Sequence, residues 1–261
     1  MKINFLGTCA GTEPIEGFRH VSFTITTGNR LFWFDAGENC SYAAHLGGID
    51  LFKSRAVFLS HTHMDHVGGL PNLLWNIRKL NTLPKKKSSF SGKVLDIFSP
   101  DPRLTPAILK ILSCTEGGFA IDFNIRENPV EDKIIFNEDG FKVLAVHNHH
   151  LGQSDGKWQS FSYRIECEGK MIVYSGDLKE IEEIDGMTTG ADLVLIETGH
   201  HHPGEICLHF RELKNFSGKL GFIHHGRAII DDFYGELEKA RKILGKRVFF
   251  AKEGQEMEMG T

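Results

Sequence analysis

The chemistry of this chain is concentrated in one short segment, FLSHTHMDHVGGLPNLL, at residues 58–74. Directly after an apolar run, three imidazoles and one carboxylate fall within six positions, as His61, His63, Asp65 and His66. His61 and His63 point the same way on an extended backbone, because side chains alternate along a strand. Imidazole and carboxylate groups together suit zinc, and also iron or manganese. The segment therefore predicts a metal site.

We expect the preceding strand to end near Ser60 and a helix to begin near Gly68. The turn between them would carry Asp65 and His66 to a position beside that of the two earlier histidines. Two metals a few ångströms apart would fit this arrangement, each with further ligands from elsewhere in the chain. Catalytic sites of this kind keep one coordination position for a water molecule, whose pKa the metals lower to about 7.

Histidine is distributed unevenly, and its clusters are the candidate sources of those further ligands. Eleven of the fourteen histidines fall in four groups, each closely following an apolar segment: His61, His63 and His66; His147, His149 and His150; His200, His201 and His202; His224 and His225. Ordinary surface or core histidines would be scattered instead. The groups are therefore expected at strand ends.

The elements that must position these groups are short apolar runs rich in β-branched and aromatic residues, which predict strands. Eleven runs qualify: INFL, VSFTIT, LFWF, AVFLS, VLDIF, FKVLAV, SFSYRI, MIVYS, LVLIE, LGFI and RVFFA. Two segments show helical periodicity, with one face formed by Leu104, Ile108, Ile111 and Leu112 and the other by Phe233, Leu237, Ala240 and Leu244. Strands that follow one another early, with regular helices later, favour two packed sheets with helices on their outer faces.

Composition sets the broad class of the protein. The 261 residues are 41% apolar and 25% charged, which fits a single globular domain over residues 1–261. The formal net charge of −4 argues against general nucleic-acid affinity, and the lysine run 85–87 is interpreted as a solvated loop. The five cysteines are scattered, and the chain contains neither a signal-like leader nor a run of membrane-spanning length. We therefore expect a soluble cytoplasmic protein with no membrane partner.

HTHMDH resembles the defining motif of the metallo-β-lactamase superfamily, and the superfamily's other landmarks follow in order. VYSGDL resembles the segment whose aspartate bridges both metals, which indicates Asp177 as the bridge. LGFIHHG resembles the last motif, in which a histidine ends a strand and binds the second metal. The distance from the apolar run favours His224 over His225.

Three imidazoles compete for the remaining ligand position, in VHNHHLG. The superfamily pattern fits His150 best, His149 second and His147 third, and the unchosen histidines are expected to hydrogen-bond ligands or to line the cleft. The resemblance implies an α/β fold, a four-layer αββα sandwich of two mixed sheets packed face to face with helices outside. The metals would lie at one edge of the sheets.

The resemblance also implies two zinc ions per chain, with manganese or iron as alternatives. The first metal would be bound by His61, His63 and His150, and the second by Asp65, His66 and His224. Asp177 and a hydroxide would bridge them.

Several segments resemble the ribonuclease Z and cyclic-phosphodiesterase branch: FLGTCAGTEP with RHVSF, FDAGENCSYAA and DHVGGLPNLL. Asp35 is then expected to support the site rather than to bind metal. Ribonuclease Z enzymes that process transfer RNA carry a protruding arm between the third ligand and the bridging aspartate, and the corresponding segment here is too short for one. The negative net charge of the chain also gives little electrostatic attraction to the phosphates of RNA. A small phosphodiester or nucleotide-like substrate is favoured over RNA.

A second departure from the branch is IETGHHHPGE, where Glu197 stands almost beside three histidines. One of them, with His202 preferred because it precedes Pro203, could protonate a leaving group. Equally, the trio could cap or line a loop. Asp65 could orient the nucleophile or receive its proton.

The leading interpretation is thus a dinuclear metal-dependent phosphodiesterase that acts through a metal-bridging hydroxide. The alternatives are a thioester or lactone hydrolase on the same site, and a non-catalytic metal-containing binding or sensor protein. Di-iron redox chemistry ranks lower, because Met64 stands where that branch usually has an acidic ligand. A homodimer is a further expectation, for which exposed apolar residues near Trp75 or Phe90 could supply the contact.

Overall fold

The computed structural model describes residues 1–85 and 89–260, so Lys86 and Lys87 of the lysine run lie outside the described residues. Within these ranges the chain forms sixteen strands: β1 (Lys2–Gly7), β2 (Ser22–Thr27), β3 (Arg30–Phe34), β4 (Ser54–Phe58), β5 (Val94–Ser99), β6 (Asn124–Pro129), β7 (Ile134–Glu138), β8 (Phe141–His147), β9 (Gln153–Ser154), β10 (Lys157–Trp158), β11 (Phe161–Cys167), β12 (Lys170–Tyr174), β13 (Leu193–Thr198), β14 (Lys219–His225), β15 (Val248–Phe250) and β16 (Glu256–Glu258).

Eight α-helices accompany these strands in the same ranges. They are α1 (Cys40–Leu46), α2 (Met64–Val67), α3 (Leu70–Asn81), α4 (Leu104–Ser113), α5 (Asp185–Thr188), α6 (Pro203–Glu212), α7 (Arg227–Asp231) and α8 (Phe233–Leu244). Among the described residues, no helix is both long and apolar enough to cross a membrane.

Within the described residues, fourteen of the strands form two mixed seven-stranded sheets, and β9 pairs with β10 in a separate hairpin. The first sheet has the order β16-β1-β2-β3-β4-β5-β6, and β3 to β6 run parallel to one another. The second sheet has the order β15-β14-β13-β12-β11-β8-β7, and β12 to β15 run parallel. The remaining pairings in both sheets are antiparallel.

The two sheets pack face to face through an aromatic core. The ring of Phe32 in β3 stacks on Phe141 in β8 with 3.7 Å between ring centroids, and Phe23 in β2 meets Tyr174 in β12 edge to face at 5.0 Å. All four side chains are fully buried. Burying one large apolar side chain stabilises a fold by about 1.5–3 kcal/mol, so this layer contributes strongly to stability.

The outer face of each sheet is covered by helices. Alternation along β3 sends Trp33 to the opposite side from Phe32, where it packs in one cluster with α1, α3 and α4. On the second sheet, Val194 packs with Phe210 of α6 and Ala240 of α8. The four layers are therefore helices, sheet, sheet and helices, and the predicted αββα architecture is confirmed.

The predicted elements match this structure in most places. All eleven predicted strands are present, and α8 buries Ala240 and Leu244 as expected. The face predicted for α4 is wrong in part, because Ile111 is 62% exposed. The buried stripe of α4 runs through Ile108 and Leu112, and at about 100° per residue Ile111 falls at its margin.

Two further differences concern surfaces. The sequence did not indicate β6 or β7, which carry many polar residues because each lies at an edge of its sheet and faces solvent. Phe90 is fully buried against Phe123, so the predicted exposed apolar surface near Phe90 is wrong. Trp75 is partly buried, and the Arg78 guanidinium lies 5.1 Å from its ring centroid.

Candidate metal centre

The HTHMDH segment leaves the carboxyl end of β4 and passes directly into a helix. The helix predicted to begin near Gly68 is α3, which begins at Leu70, and it is preceded by the one-turn helix α2, which begins at Met64. His63 is the N-cap residue of α2 in extended conformation, and Asp65 lies in its first turn, where the helix dipole favours a carboxylate. The helix α2 displaces Asp65 and His66 from the two histidines before them, as the turn was expected to do.

A first group of potential ligands combines His61, His63, His150 and Asp177, whose nitrogen and oxygen atoms all lie within 4.8 Å of one another. Asp177 Oδ2 is 3.7 Å from His61 Nε2 and 3.7 Å from His150 Nε2. His150 Nε2 is also 3.4 Å from His63 Nδ1. These four side chains could hold one metal ion.

A second group combines Asp65, His66 and His224. His224 Nε2 is 3.0 Å from Asp65 Oδ2 and 3.2 Å from His66 Nε2. Asp177 belongs to the first group and to a third one, with His200 and His224. Its other oxygen, Oδ1, lies 3.3 Å from His66 Nε2 and 3.4 Å from His224 Nδ1. The two oxygens of Asp177 therefore face different groups.

Several buried polar atoms of this cluster lack hydrogen-bond partners, and a bound cation would give them a partner. His61 Nε2, Asp177 Oδ1 and His224 Nδ1 are buried without a hydrogen-bond partner. Buried polar atoms are normally paired. The Nε2 atoms of His66 and His224 lie too close together for both to be unprotonated hydrogen-bond acceptors. Either one of them carries a proton, or a cation lies between the two. This set of nitrogen and oxygen donors fits zinc, manganese or iron.

Asp35 supports the cluster from behind, as expected. It is fully buried, and its Oδ2 accepts hydrogen bonds from His66 Nδ1 at 2.8 Å, Ser60 Oγ at 2.8 Å and Tyr174 OH at 2.6 Å. Its Oδ1 accepts from the Ser60 backbone N–H at 2.7 Å. Because Nδ1 of His66 is held by Asp35, Nε2 is the ring nitrogen that faces the cluster.

The pKa shifts in the cluster indicate that its carboxylates are stabilised by positive charge. Burial lowers the pKa of His224, but the charge of Asp177 and a hydrogen bond to Asp65 raise it to about 9. Burial raises the pKa of Asp177, but His224 and His66 hold it well below its usual value. Burial lowers the pKa of His61, which keeps that ring neutral. Protons on His66 and His224 thus balance the carboxylates, and a divalent cation would supply the same charge.

His200 is the member of the HHH trio that reaches the cluster. Its Nδ1 lies 2.9 Å from Glu197 Oε1 and 3.9 Å from Asp177 Oδ2, and its backbone N–H donates to Glu197 Oε2 at 2.9 Å. The hydrogen bond to Glu197 raises the pKa of His200. With Nδ1 held by a buried carboxylate, Nε2 is the nitrogen left for a bound molecule.

His202, the preferred proton donor in the sequence prediction, does not line the cavity over the cluster. It is the N-cap of α6, where its Nδ1 accepts from the Gly204 N–H at 3.2 Å and its Nε2 lies 3.7 Å from Glu236 Oε2. The following Pro203 marks a helix start, and the residue before such a proline caps the helix. The trio therefore divides: His200 faces the cluster, His202 caps a helix, and His201 Nε2 lies 3.3 Å from the Leu178 carbonyl oxygen.

Three further histidines, His147, His149 and His225, bind elsewhere. For His147 and His149 this differs from the expectation that they hydrogen-bond ligands or line the cleft, because neither lies in the lining of the cavity over the cluster. His147 Nδ1 is 2.7 Å from Asp132 Oδ2, and His149 Nδ1 is 2.7 Å from Glu183 Oε1. His225 is buried, with Nε2 2.8 Å from the Ala251 carbonyl oxygen. Of the three imidazoles in VHNHHLG, His150 alone among these described residues belongs to the metal-binding groups.

A cavity of about 480 Å³ opens over the cluster. Besides cluster residues and His200, its lining includes Met64 and Arg227, which sequence reasoning missed. Arg227 stands two residues after His225, so its place just after a ligand motif was a usable signal. Gly199 also matters, because a Cβ there would lie 2.7 Å from His224 Nδ1. Only glycine allows the backbone to approach that ring so closely.

The sequence is similar to proteins of one described family and to ribonuclease Z. A family model described as Anti-Pycsar protein Apyc1 matches residues 1–222. Ribonuclease Z of Methanococcus maripaludis (strain C5) is 32% identical over 206 residues, which cover 77% of this chain and 58% of that protein. The chain spans about half the length of the curated relatives it matches.

Solved structures show the same fold at low sequence identity. Human tRNase Z, short form, has a TM-score of 0.74 and 16% identity, with all of both chains covered. The metallo-β-lactamase fold protein YhfI from Bacillus subtilis has a TM-score of 0.74 and 18% identity, with 98% of each chain covered. The expected metallo-β-lactamase fold is therefore confirmed.

Proposed function

Because this chain belongs to the Anti-Pycsar protein Apyc1 family and has the metallo-β-lactamase fold, we propose that it is a metal-dependent hydrolase of small phosphodiesters. One observation carries the proposal: eight histidine and aspartate side chains converge from five distant segments, and three of their buried polar atoms lack hydrogen-bond partners. The similarity to ribonuclease Z, whose name denotes cleavage of a phosphodiester polymer, supports the same reaction class.

Two metals, with zinc as the first candidate and manganese or iron as alternatives, would divide the cluster. His61, His63 and His150 would bind the first, and Asp65, His66 and His224 the second. A bridging role for Asp177 is supported by its two oxygens, which face different groups. When bound, such metals supply a water activated at neutral pH and polarise a phosphoryl oxygen.

Asp65 would accept a proton from the attacking water, and His200 would donate a proton to the departing oxygen. Asp65 lines the cavity and is 8% exposed, so its carboxylate can orient the attacking water and receive its proton. His200 also lines the cavity, and its Nε2–H would donate to the departing oxygen while Glu197 holds Nδ1. We thus transfer the proposed donor role from His202 to His200.

The size and surroundings of the cavity favour a small substrate over RNA. Its volume of about 480 Å³ falls in the range of small-molecule sites. Between His150 and Asp177, strands β11 and β12 belong to the second sheet, and the two-residue strands β9 and β10 form a small separate hairpin. This fully described segment contains no long arm. The chain is also acidic overall, with a net charge of −4. A nucleotide-like phosphodiester, including a cyclic one, is the proposed substrate class.

The test is a substrate panel on purified protein whose metal content has been measured. The panel contains a chromogenic phosphodiester, cyclic mononucleotides, a structured RNA, a lactone and a thioester. We expect turnover of the small phosphodiesters in the metal-loaded protein, and loss of that turnover in Asp65→Ala.

Three results would contradict parts of the proposal. Full metal occupancy without turnover of any substrate would favour a binding or sensor protein. Faster turnover of the lactone or thioester than of the phosphodiesters would mean that the substrate is a carbonyl compound rather than a phosphodiester. Unchanged turnover in Asp65→Ala would remove Asp65 from the mechanism.

A further inference from the structure

A second cavity, of about 440 Å³, lies at the end of the first sheet opposite the metal centre. Its lining includes the first residues of β3 and β4, namely Arg30, Ser54 and Arg55. The metal-binding segment instead follows the carboxyl end of β4, and β3 runs parallel to β4. At about 3.3 Å per residue, the five residues of β4 place roughly 16 Å of strand between the two cavities. The second cavity is therefore separate from the metal centre.

The lining of this cavity carries positive charge only. Five of its nine residues are cationic, and none is acidic: Arg30, Lys53, Arg55, Lys93 and Arg126 line it with Asn29, Phe52, Ser54 and Val94. The whole chain has 30 basic and 34 acidic residues, so average composition does not explain this concentration. The fold has gathered cations from four neighbouring strand segments.

Carboxylates outside the lining hold the arginines in place. Arg126 and Arg55 both bind the buried carboxylate of Asp96, with Arg126 Nη2 2.7 Å from Asp96 Oδ2. Arg55 Nε also donates to Glu138 Oε1 at 3.1 Å. The guanidinium groups are thus fixed before any ligand arrives, which reduces the ordering that binding requires.

The two lysines carry the uncompensated charge. Lys93 Nζ donates to the Phe52 carbonyl oxygen at 2.8 Å, and an ammonium group has two further N–H donors. Among residues 1–85 and 89–260, neither Lys53 nor Lys93 forms an ion pair with a carboxylate. Their positive charge is therefore available to an anion in the cavity.

We propose that this cavity binds a small phosphate-bearing anion, at a site distinct from the metal centre. Ammonium and guanidinium groups make charge-assisted hydrogen bonds to phosphate oxygens, and arginine does so with a preset geometry. The volume suits a pyrophosphate or a mononucleotide. Phe52 and Val94 add an apolar part to the wall, which an organic group could contact. This site does not depend on the proposed hydrolase activity.

Calorimetric titration with inorganic pyrophosphate tests the site on four forms of the protein. Wild type should bind pyrophosphate, and Lys53→Gln/Lys93→Gln should bind at least about tenfold more weakly, because the variant loses two ammonium groups that can form charge-assisted hydrogen bonds to phosphate oxygens. The control Lys239→Gln/Lys242→Gln makes the same charge change on α8, which covers the other sheet, and should bind like wild type. Asp65→Ala alters the metal centre and should also bind like wild type.

Several outcomes would overturn the inference. These are no binding by wild type, equal weakening in the two double variants, or loss of binding in Asp65→Ala, which would locate pyrophosphate at the metals. Thermal unfolding without pyrophosphate checks that the variants are folded, and the single variant Lys53→Gln serves if the double variant is not. Because the readout is binding rather than turnover, failure here is distinguishable from failure of the proposed reaction.

Discussion

At the scale of single residues, two buried carboxylates set the direction of two imidazoles. Asp35 holds Nδ1 of His66, and Glu197 holds Nδ1 of His200. In both cases the hydrogen bond leaves Nε2 facing the metal cluster or the cavity above it. The carboxylates thereby determine which ring nitrogen would bind a metal or donate a proton in the proposed reaction.

Asp35→Asn should weaken metal binding by about 10–100-fold, the usual effect of losing a partner behind a metal ligand. The amide cannot accept all the hydrogen bonds that Asp35 accepts, so His66 and Ser60 lose their anchor. Competition with a chromophoric chelator measures the affinity. Tyr174→Phe is the control, because it removes one hydrogen bond to Asp35 and keeps the carboxylate. Unchanged affinity in a folded Asp35→Asn protein would refute this role.

His200→Gln should lower kcat by about 10²–10⁴-fold for phosphodiesters with alkoxide leaving groups, which need a proton. The loss should be much smaller for a nitrophenolate leaving group, which departs without one. His202→Gln is the matched control and should keep near-normal kcat, because His202 caps α6. Equal losses for both leaving groups would mean that His200 acts in structure rather than in proton transfer.

At the scale of elements, the parallel strands β4, β5 and β6 are tied together by one buried carboxylate. Asp96 in β5 is 1% exposed and receives the guanidinium groups of Arg55 from β4 and Arg126 from β6. Burial raises the pKa of Asp96, but the hydrogen bonds from Arg126 and Arg55 lower it below its usual value. The charged form is therefore favoured by the fold.

Asp96→Asn should reduce the free energy of unfolding at pH 7 by about 1–3 kcal/mol. Since folding lowers the pKa of Asp96, its stabilisation is complete above the unfolded pKa of about 4 and is lost as pH falls through the folded value. The difference between wild type and variant should thus shrink below about pH 4. Urea denaturation of metal-free protein at several pH values measures it.

Glu131→Gln is the control for that experiment. Glu131 forms an exposed pair with Lys133, with both side chains at least half exposed, so its removal should change stability little. A difference between wild type and Asp96→Asn that stays constant from pH 7 to pH 3 would contradict the assignment.

At the scale of the whole molecule, the metal centre joins the two halves of the sandwich. His61, His63, Asp65 and His66 follow a strand of the first sheet, whereas Asp177 and His224 come from the second. A bound cation would therefore connect both sheets at one edge, in addition to the aromatic layer between them. Metal binding and global stability should be linked.

Removal of metal by a chelator should lower Tm. A metal at a hundredfold excess over its Kd stabilises the folded state by about 2.7 kcal/mol, which corresponds to roughly 5–10 °C for a chain of this size. Scanning calorimetry with and without chelator measures the shift. In Asp177→Ala, which lacks the shared carboxylate, Tm should respond much less. An identical Tm for loaded and stripped wild type would contradict the link.

The sequence by itself determined the features that depend on local pattern. The alternation of apolar residues predicts the strands that build both sheets, and HTHMDH, VYSGDL and LGFIHHG mark the segments that converge. These signals can be read from the sequence because the burial of one strand face and the spacing of ligands depend on residues that are neighbours in the chain.

Only the tertiary structure decided among residues that look alike in sequence. It placed His150 rather than His147 or His149 in the cluster, and His200 rather than His202 beside the cavity. It also gathered five cations into a cavity that no stretch of sequence indicates. The physical reason is that the direction of an imidazole, and the charge around it, are set by partners distant in the chain, such as Asp132, Glu183 and Glu197. Those partners become neighbours only when the sheets pack.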